Sequence, residues 1–139
     1  MTNRVFIDSN VWVYALAETG DKRDSIARKF IDSAILDSAP VISYQVVNET
    51  MRVLRKLGKC ERELREIIDN LFSICEVVGF TKESVLRASE LRETMSVSYW
   101  DSQIVASALL AGCSDLISED LQDGFLIQET LTVKNIFKD

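Results

Sequence analysis

The chain contains no histidine, and this absence removes more chemistry than any other feature of its composition. Ser-His-Asp and Cys-His nucleophilic schemes, HExxH zinc sites and histidine acid–base pairs are all excluded. Any catalysis must draw on carboxylates, Lys, Tyr, Cys or a metal-bound water. Cysteine is scarce as well: Cys60, Cys75 and Cys113 are odd in number, far apart and without a CxxC spacing. Neither a disulfide framework nor a zinc knuckle is expected, and a reducing cytoplasmic setting fits best. No stretch approaches the roughly 20 apolar residues of a membrane span. Asp8 interrupts the early apolar run and no small-residue cleavage site follows, so neither a signal peptide nor a membrane partner is expected. Positive charge is also short, with 16 Lys and Arg against 22 Asp and Glu and a net charge of −6. Non-specific nucleic-acid affinity comes from many Lys/Arg–phosphate contacts, so a general polyanion-coating protein is disfavoured. A nucleic-acid enzyme is not, because a metal can supply positive charge locally.

What remains is an ordinary soluble mixture, 47% hydrophobic and 27% charged over 139 residues, expected to form one domain spanning 1–139. The pattern alternates strand and helix. Val5-Phe6-Ile7 reads as a short strand buried on both faces, as in the middle of a parallel sheet. Ser9 and Asn10 can cap a helix through Ala17. A second helix runs from Asp21 or Asp24 to about Asp37, with Ile26, Ala27, Phe30, Ile31, Ala34 and Ile35 at helical spacing. The only proline, Pro40, opens the strand Val41-Ile42. Ser43 then caps a helix striped by Val46, Val47, Thr50, Val53, Leu54 and Leu57 and ended by Gly58. Another helix carries Leu64, Ile67, Ile68, Leu71 and Phe72, before a third strand from Ile74 to Val78. Thr81 caps a helix through Leu91, and Ser98 caps one from Tyr99 to Ala111, closed by Gly112. Asp115 to Ser118 is the fourth strand and Leu131 to Lys134 the fifth. This order implies a parallel sheet of about five strands with right-handed crossovers and helices on both faces.

Four acids fall at comparable places on that frame. Asp8 ends the first strand, where open α/β sheets bind ligands. Asp120 follows the fourth strand. Asp101 lies in the first turn of its helix, beside the stripe Ile104, Val105 and Ala108, and Glu49 lies in the second turn of its own, between Val46 and Val53. Two strand ends and two helix starts can converge at one rim of the sheet. Each acid also has an ordinary reading: Asp101 as a helix-start residue, Asp120 as a turn residue, Glu49 as a surface partner of Arg52. Asp8 is hardest to explain this way, because a buried carboxylate must find a partner or take up a proton.

Crowded carboxylates repel unless a cation offsets their charge. Oxygen ligands without His or Cys select Mg²⁺ or Mn²⁺ over zinc. Such ions serve phosphoryl transfer, with Asp101 or Glu49 available to orient the attacking water. The expected reaction is metal-dependent phosphodiester hydrolysis.

Val-Phe-Ile-Asp-Ser-Asn at the start, the helical Glu49, Tyr-Trp-Asp-Ser-Gln-Ile-Val-Ala-Ser-Ala and Leu-Ile-Ser-Glu-Asp-Leu-Gln-Asp-Gly together resemble the PIN domain, in order along nearly the whole chain. The similarity is greatest to small VapC-like ribonuclease toxins of toxin–antitoxin pairs. The resemblance implies a three-layer α/β/α fold with strand order 3-2-1-4-5 and an Mg²⁺- or Mn²⁺-dependent endoribonuclease. By motif, Asp8, Glu49, Asp101 and Asp120 match the acidic quartet, and Asn10 and Ser118 match polar positions that orient it. Ser118 stands where many members carry Thr, and Ile136 replaces a common Pro in the tail Val133 to Phe137. The resemblance further implies a homodimer, an RNA substrate and an antitoxin partner whose peptide covers the cleft.

Glu119 and Asp123 flank Asp120 and can either bind a second metal or remain solvated surface acids. The basic residues from Arg52 to Arg65 can meet RNA phosphates or an acidic partner, or form a solvated helix face. Trp12, Tyr14, Tyr99 and Trp100 can stack bases, bury at a dimer interface or pack in the core. Two other functions compete with the nuclease. One is a PIN-fold binding module with negligible cutting. The other is a receiver-like phospho-acceptor domain, which expects an aspartate on a central strand where this chain has Val41-Ile42-Ser43.

Overall fold

The protein is described here by a computed structural model covering residues 3–138. Its elements are β1 (Val5–Ile7), α1 (Ser9–Ala17), α2 (Arg23–Asp37), β2 (Val41–Ser43), α3 (Tyr44–Lys56), α4 (Glu61–Ile74), β3 (Glu76–Val78), α5 (Lys82–Thr94), α6 (Tyr99–Leu110), β4 (Asp115–Ile117), β5 (Leu126–Ile127) and β6 (Leu131–Lys134). The strands form one sheet in the order β3-β2-β1-β4-β6-β5. All neighbouring pairs are parallel except β5–β6, which is antiparallel.

The chain winds outward from β1 to β2 and β3, then returns through α5 and α6 to place β4 on the other side of β1. Right-handed crossovers in opposite directions put their helices on opposite faces. The helices α1 to α4 therefore cover one face, and α5 pairs with α6 on the other. The reversal between β1 and β4 lies at the carboxyl ends of those two strands, where such sheets place ligands. Phe6, Ile7, Val41, Ile42, Leu116 and Ile117 fill the middle layer and are essentially solvent-free. Side chains of this kind contribute about 1.5–3 kcal/mol each on burial.

Local signals set most helix starts. The Ser43 hydroxyl accepts the Val46 N–H, Thr81 accepts that of Ser84, and Ser98 accepts that of Asp101. The first helix differs from expectation: Asp8, not Ser9 or Asn10, is its cap, accepting the Ser9 N–H at 2.7 Å. One residue therefore ends the strand and begins the helix. Ile74 closes α4 instead of opening the third strand.

The expected five-strand order gains a sixth member. Leu126–Ile127 pairs with β6 through a turn in which Gln128 and Glu129 both have positive φ, closed by the Thr130 N–H donating to the Ile127 carbonyl. Hairpin turns with positive φ favour Asn or Gly, and neither is present, so the sequence carries no turn signal there. In the tail, Asn135 Oδ1 accepts the Phe137 N–H at 2.9 Å, which holds the turn with Ile136 in place of proline. Phe137 then packs edge-on against Tyr14 of α1. Among the described residues, no helix is long and apolar enough to cross a membrane.

Candidate active site

The carboxyl ends of β1 and β4 carry Asp8 and Ser118 side by side. The Asp8 N–H donates to the Ile117 carbonyl, and the Ser118 hydroxyl donates to Asp8 Oδ2 at 2.8 Å. Asp8 is only 4% exposed. Burial pushes its carboxyl up to about 6; the Ser118 and Ser9 hydrogen bonds work against that rise, while the charges of Asp120 and Glu49 add to it. The nascent positive end of α1 also favours a negative charge at this position.

Glu49 reaches the same rim from the second turn of α3. Its Oε2 accepts the Ser9 hydroxyl at 3.1 Å, and its Oε1 accepts the Gln45 side-chain amide at 3.1 Å. No ion pair joins it to Arg52 among the described residues. Asp120 is exposed; its Oδ2 accepts from Asn10 Nδ2 at 3.1 Å, and its N–H donates to Ser118 Oγ at 3.2 Å. Asp101, in the first turn of α6, is partly buried. Desolvation raises its carboxyl pKa, the Ser98 hydroxyl lowers it, and the charges of Asp120 and Glu49 raise it again. Asp120 and Glu49 thus act electrostatically on both Asp8 and Asp101.

The fold brings Asp8, Glu49, Asp101 and Asp120 to one acidic rim, yet among the described residues no three His, Cys, Asp or Glu side chains converge as a ready-made metal cage. Ser9, Gln45, Asn10 and Ser118 each donate to a carboxylate oxygen of the rim. The rim still fits a hard divalent ion chemically. It offers oxygen donors alone, one of them buried with a carboxyl raised by burial and by its acidic neighbours, which is the situation a cation relieves.

A family model described as the PIN domain matches residues 5–123. The chain belongs to the PIN domain family. No curated protein sequence matches it. Solved structures resemble this PIN domain in fold. A toxin–antitoxin complex from Klebsiella pneumoniae aligns with TM-score 0.74 and 18% identity over 97% of this chain and 99% of that one. VapC20 of Mycobacterium tuberculosis, a toxin that cleaves the sarcin-ricin loop, aligns with TM-score 0.68 and 19% identity over 84% of this chain and 91% of its own. VapBC2 from Rickettsia felis, bound to a DNA fragment from its promoter, aligns with TM-score 0.69 and 18% identity over 94% and 97% respectively.

The other acids near the PIN rim are engaged elsewhere. Glu119 Oε1 accepts the Tyr14 hydroxyl at 3.0 Å, and its Oε2 pairs with Arg23 at 2.8 Å. Burial and the Glu119 hydrogen bond push the Tyr14 phenol up to about 12. Arg23 also grips Asp21, whose carboxyl it holds down at about 2, and lies 4.6 Å from the centre of the Tyr14 ring. Asp123 Oδ1 accepts the Asn135 N–H at 2.8 Å, where it shapes the approach to the tail.

Three participants escaped sequence reasoning. Ser9 has the residue type of a cap, but its hydroxyl donates to Glu49. Gln45 sits four residues before Glu49, a spacing that places the two on one helix face and could have flagged it. Arg23 is separated from Glu119 by 96 residues, and nothing local announces the pairing.

Proposed function

We propose that this PIN domain, taken as residues 1–139, is a metal-dependent endoribonuclease and the toxin of a VapC-like toxin–antitoxin pair. The observation that carries the proposal is the acidic rim formed by Asp8, Glu49, Asp101 and Asp120 at the reversal point of the sheet. Asp8, Glu49, Asp101 and Asp120 would hold Mg²⁺ or Mn²⁺. When bound, the ion polarises the scissile phosphate, acidifies an attacking water and offsets charge on the leaving oxygen.

The chain's own residues do the rest. Ser118 and Asn10 hold Asp8 and Asp120 at the rim, and Ser9 and Gln45 fix both oxygens of Glu49. Asp101, whose carboxyl is raised by partial burial and by its acidic neighbours, or Glu49 would orient the attacking water. The buried floor of Ile7, Ile117 and Asp8 excludes solvent from beneath the site.

The toxin role draws on the fold shared with a toxin–antitoxin complex and with VapBC2. The partners assigned on that basis are an RNA substrate, a cognate antitoxin and a second copy of the chain in a cytoplasmic homodimer. The test is incubation of purified protein with RNA under Mg²⁺ or Mn²⁺ titration, against EDTA and against Asp8→Asn. Metal-dependent internal cleavage lost in the variant is expected. RNA that is bound but never cut would leave a PIN-fold binding module, and RNA cut equally well in EDTA would remove the metal from the mechanism.

A further inference from the structure

The acidic rim occupies the carboxyl ends of the strands; a separate cavity of about 420 Å³ lies at their amino ends. Val5 opens β1, Pro40 precedes β2 and Asp115 opens β4, and all three line it, facing Phe30 and Asp37 of α2. The cavity is therefore at the opposite edge of the sheet from Asp8, Glu49, Asp101 and Asp120, none of which borders it. Its volume falls within the range of small-ligand sites.

The way α2 ends sets the charge of this cavity. A helix leaves its last carbonyls without intrahelical partners, and its negative end favours Lys or Arg in the last turn. Here the last turn has no basic residue, and its final position is Asp37. The chain that follows offers those carbonyls little. Ser38 is extended, and its N–H returns to the Ala34 carbonyl at 3.0 Å. Pro40 has no N–H to give to Leu36, and it disfavours helical backbone at Ala39. Among the described residues, no backbone N–H beyond the helix reaches the carbonyls of Ile35, Leu36 or Asp37. Asp115 brings a second carboxylate, with a side chain 14% exposed. No Lys or Arg lines the cavity. The site is rich in acceptors, and Val5, Phe30, Ala34 and Pro40 give it an apolar wall.

We propose that this cavity binds a small organic cation, an alkylammonium whose charge meets Asp37 and Asp115 and whose stem covers the apolar wall. A bare metal ion fits less well. Hard divalent ions gather roughly six or more oxygens, whereas no three acidic side chains converge among the described residues. Such an ion would also leave the apolar wall wet. An ammonium donates only three hydrogen bonds and, on an aliphatic stem, brings apolar surface of its own. The molecule already makes one pairing of this kind: Lys134 Nζ lies 3.2 Å from Asp115 Oδ2. A carboxylate can accept at both oxygens, so that contact does not exhaust Asp115. A cation here also offsets the negative end of α2, which its own last turn leaves uncompensated.

The test titrates the full chain with n-pentylammonium, following amide chemical shifts by NMR at physiological ionic strength in EDTA. Ammonium chloride supplies the charge without a stem, and n-pentanol the stem without a charge. Saturable shifts at Ser33, Ala34, Asp37, Ser38 and Asp115 are expected with n-pentylammonium alone, while the amides of the acidic rim stay in place. Asp37→Asn should weaken binding about tenfold, and Asp115→Asn should weaken it as well. Asp32→Asn alters an exposed acid of α2 outside the cavity and should change the affinity less than about twofold. Asp37→Asn removes a negative charge from the negative end of a helix, so its ligand-free Tm should be no lower than that of wild type. Equal shifts from n-pentanol make the cavity an apolar slot, and equal shifts from ammonium make it a counterion atmosphere; either result overturns the proposal. Shifts that do not saturate, that appear at the rim, or that are lost equally in Asp32→Asn and Asp37→Asn overturn it too. No arm involves RNA or a divalent metal, so the proposal stands or falls apart from the nuclease reading.

Discussion

The Ser118 hydroxyl donates to Asp8 Oδ2 at 2.8 Å and accepts the Asp120 N–H at 3.2 Å, so one small side chain sets the spacing of two acids from opposite ends of the sequence. Removing it in Ser118→Ala takes away a hydrogen bond that eases ionisation of Asp8 and frees the Asp120 backbone. Groups that orient metal ligands typically change affinity or activity by about 10–100-fold. Ser118→Ala should therefore weaken Mn²⁺ binding about tenfold by isothermal titration, while Ser118→Thr, which keeps the hydroxyl, should stay within about threefold of wild type. Equal Mn²⁺ affinity in all three proteins would mean that the hydroxyl serves only the fold.

Asp8 should oppose the stability of the metal-free protein at neutral pH. Its carboxyl rises from 3.8 to about 6 on folding because it is buried. A raised acid holds its proton better in the folded state. Its stabilising contribution is thus complete below about pH 4 and lost as pH climbs through about 6. The gap corresponds to about 3 kcal/mol at most, at 1.36 kcal/mol per unit. Metal-free Tm should fall between pH 4 and 6.5, and Mg²⁺ or Mn²⁺ should recover it only above about pH 6, where the ligand is ionised. Asp8→Asn should flatten the metal-free profile, raise Tm at pH 7.5 and abolish cleavage. A variant melting below wild type at pH 7.5 without metal would contradict this assignment of strain to the carboxylate.

Sequence patterning carried the frame of this molecule because its signals are local. An apolar triplet ending in Asp8, hydroxyl caps at Ser43, Thr81 and Ser98, and the single Pro40 before β2 each report their own neighbourhood. Topology then predicts which strand ends and helix starts share an edge, so an edge common to the four acids could be expected from it. The interactions that set their orientation could not. Gln45 to the Trp100 carbonyl spans 55 residues and Arg23 to Glu119 spans 96. Composition leaves no trace of such pairings. The short β5 was invisible for another reason: Gln128 and Glu129 adopt positive φ without the Gly or Asn that usually marks it.

Helix α6 carries a small energetic defect that mutation can repair. Ser107 is buried, and its hydroxyl has no hydrogen-bond partner among the described residues. An unsatisfied buried polar group costs about 1–3 kcal/mol, and an apolar replacement of similar size removes that cost. Ser107→Ala should leave cleavage unchanged and stabilise the protein by about 1 kcal/mol in urea unfolding, seen as a higher midpoint at constant slope. A destabilisation of similar size would show that the hydroxyl is bonded in solution.

Arg23 offers a separate handle on Asp120. It pairs with Glu119 at 2.8 Å and with Asp21 at 2.7 Å, and Glu119 in turn takes the Tyr14 hydroxyl and donates its own N–H to Asn10 Oδ1 at 3.3 Å. Asn10 holds Asp120. The backbone after β4 is thereby fastened to both α1 and the start of α2. The ion pairs are about a third exposed, so solvent screening keeps their contribution to stability small. Their effect should appear in activity instead. Arg23→Ala should lower kcat between about threefold and about tenfold, short of the ~100-fold that a full ångström of misplacement can cost. Arg23→Lys keeps the charge but cannot fork between Asp21 and Glu119, so its kcat should lie between those of Ala and wild type. Tm should move little in either variant. A large drop in Tm with kcat preserved would make the cluster a fold clamp with no hold on Asp120.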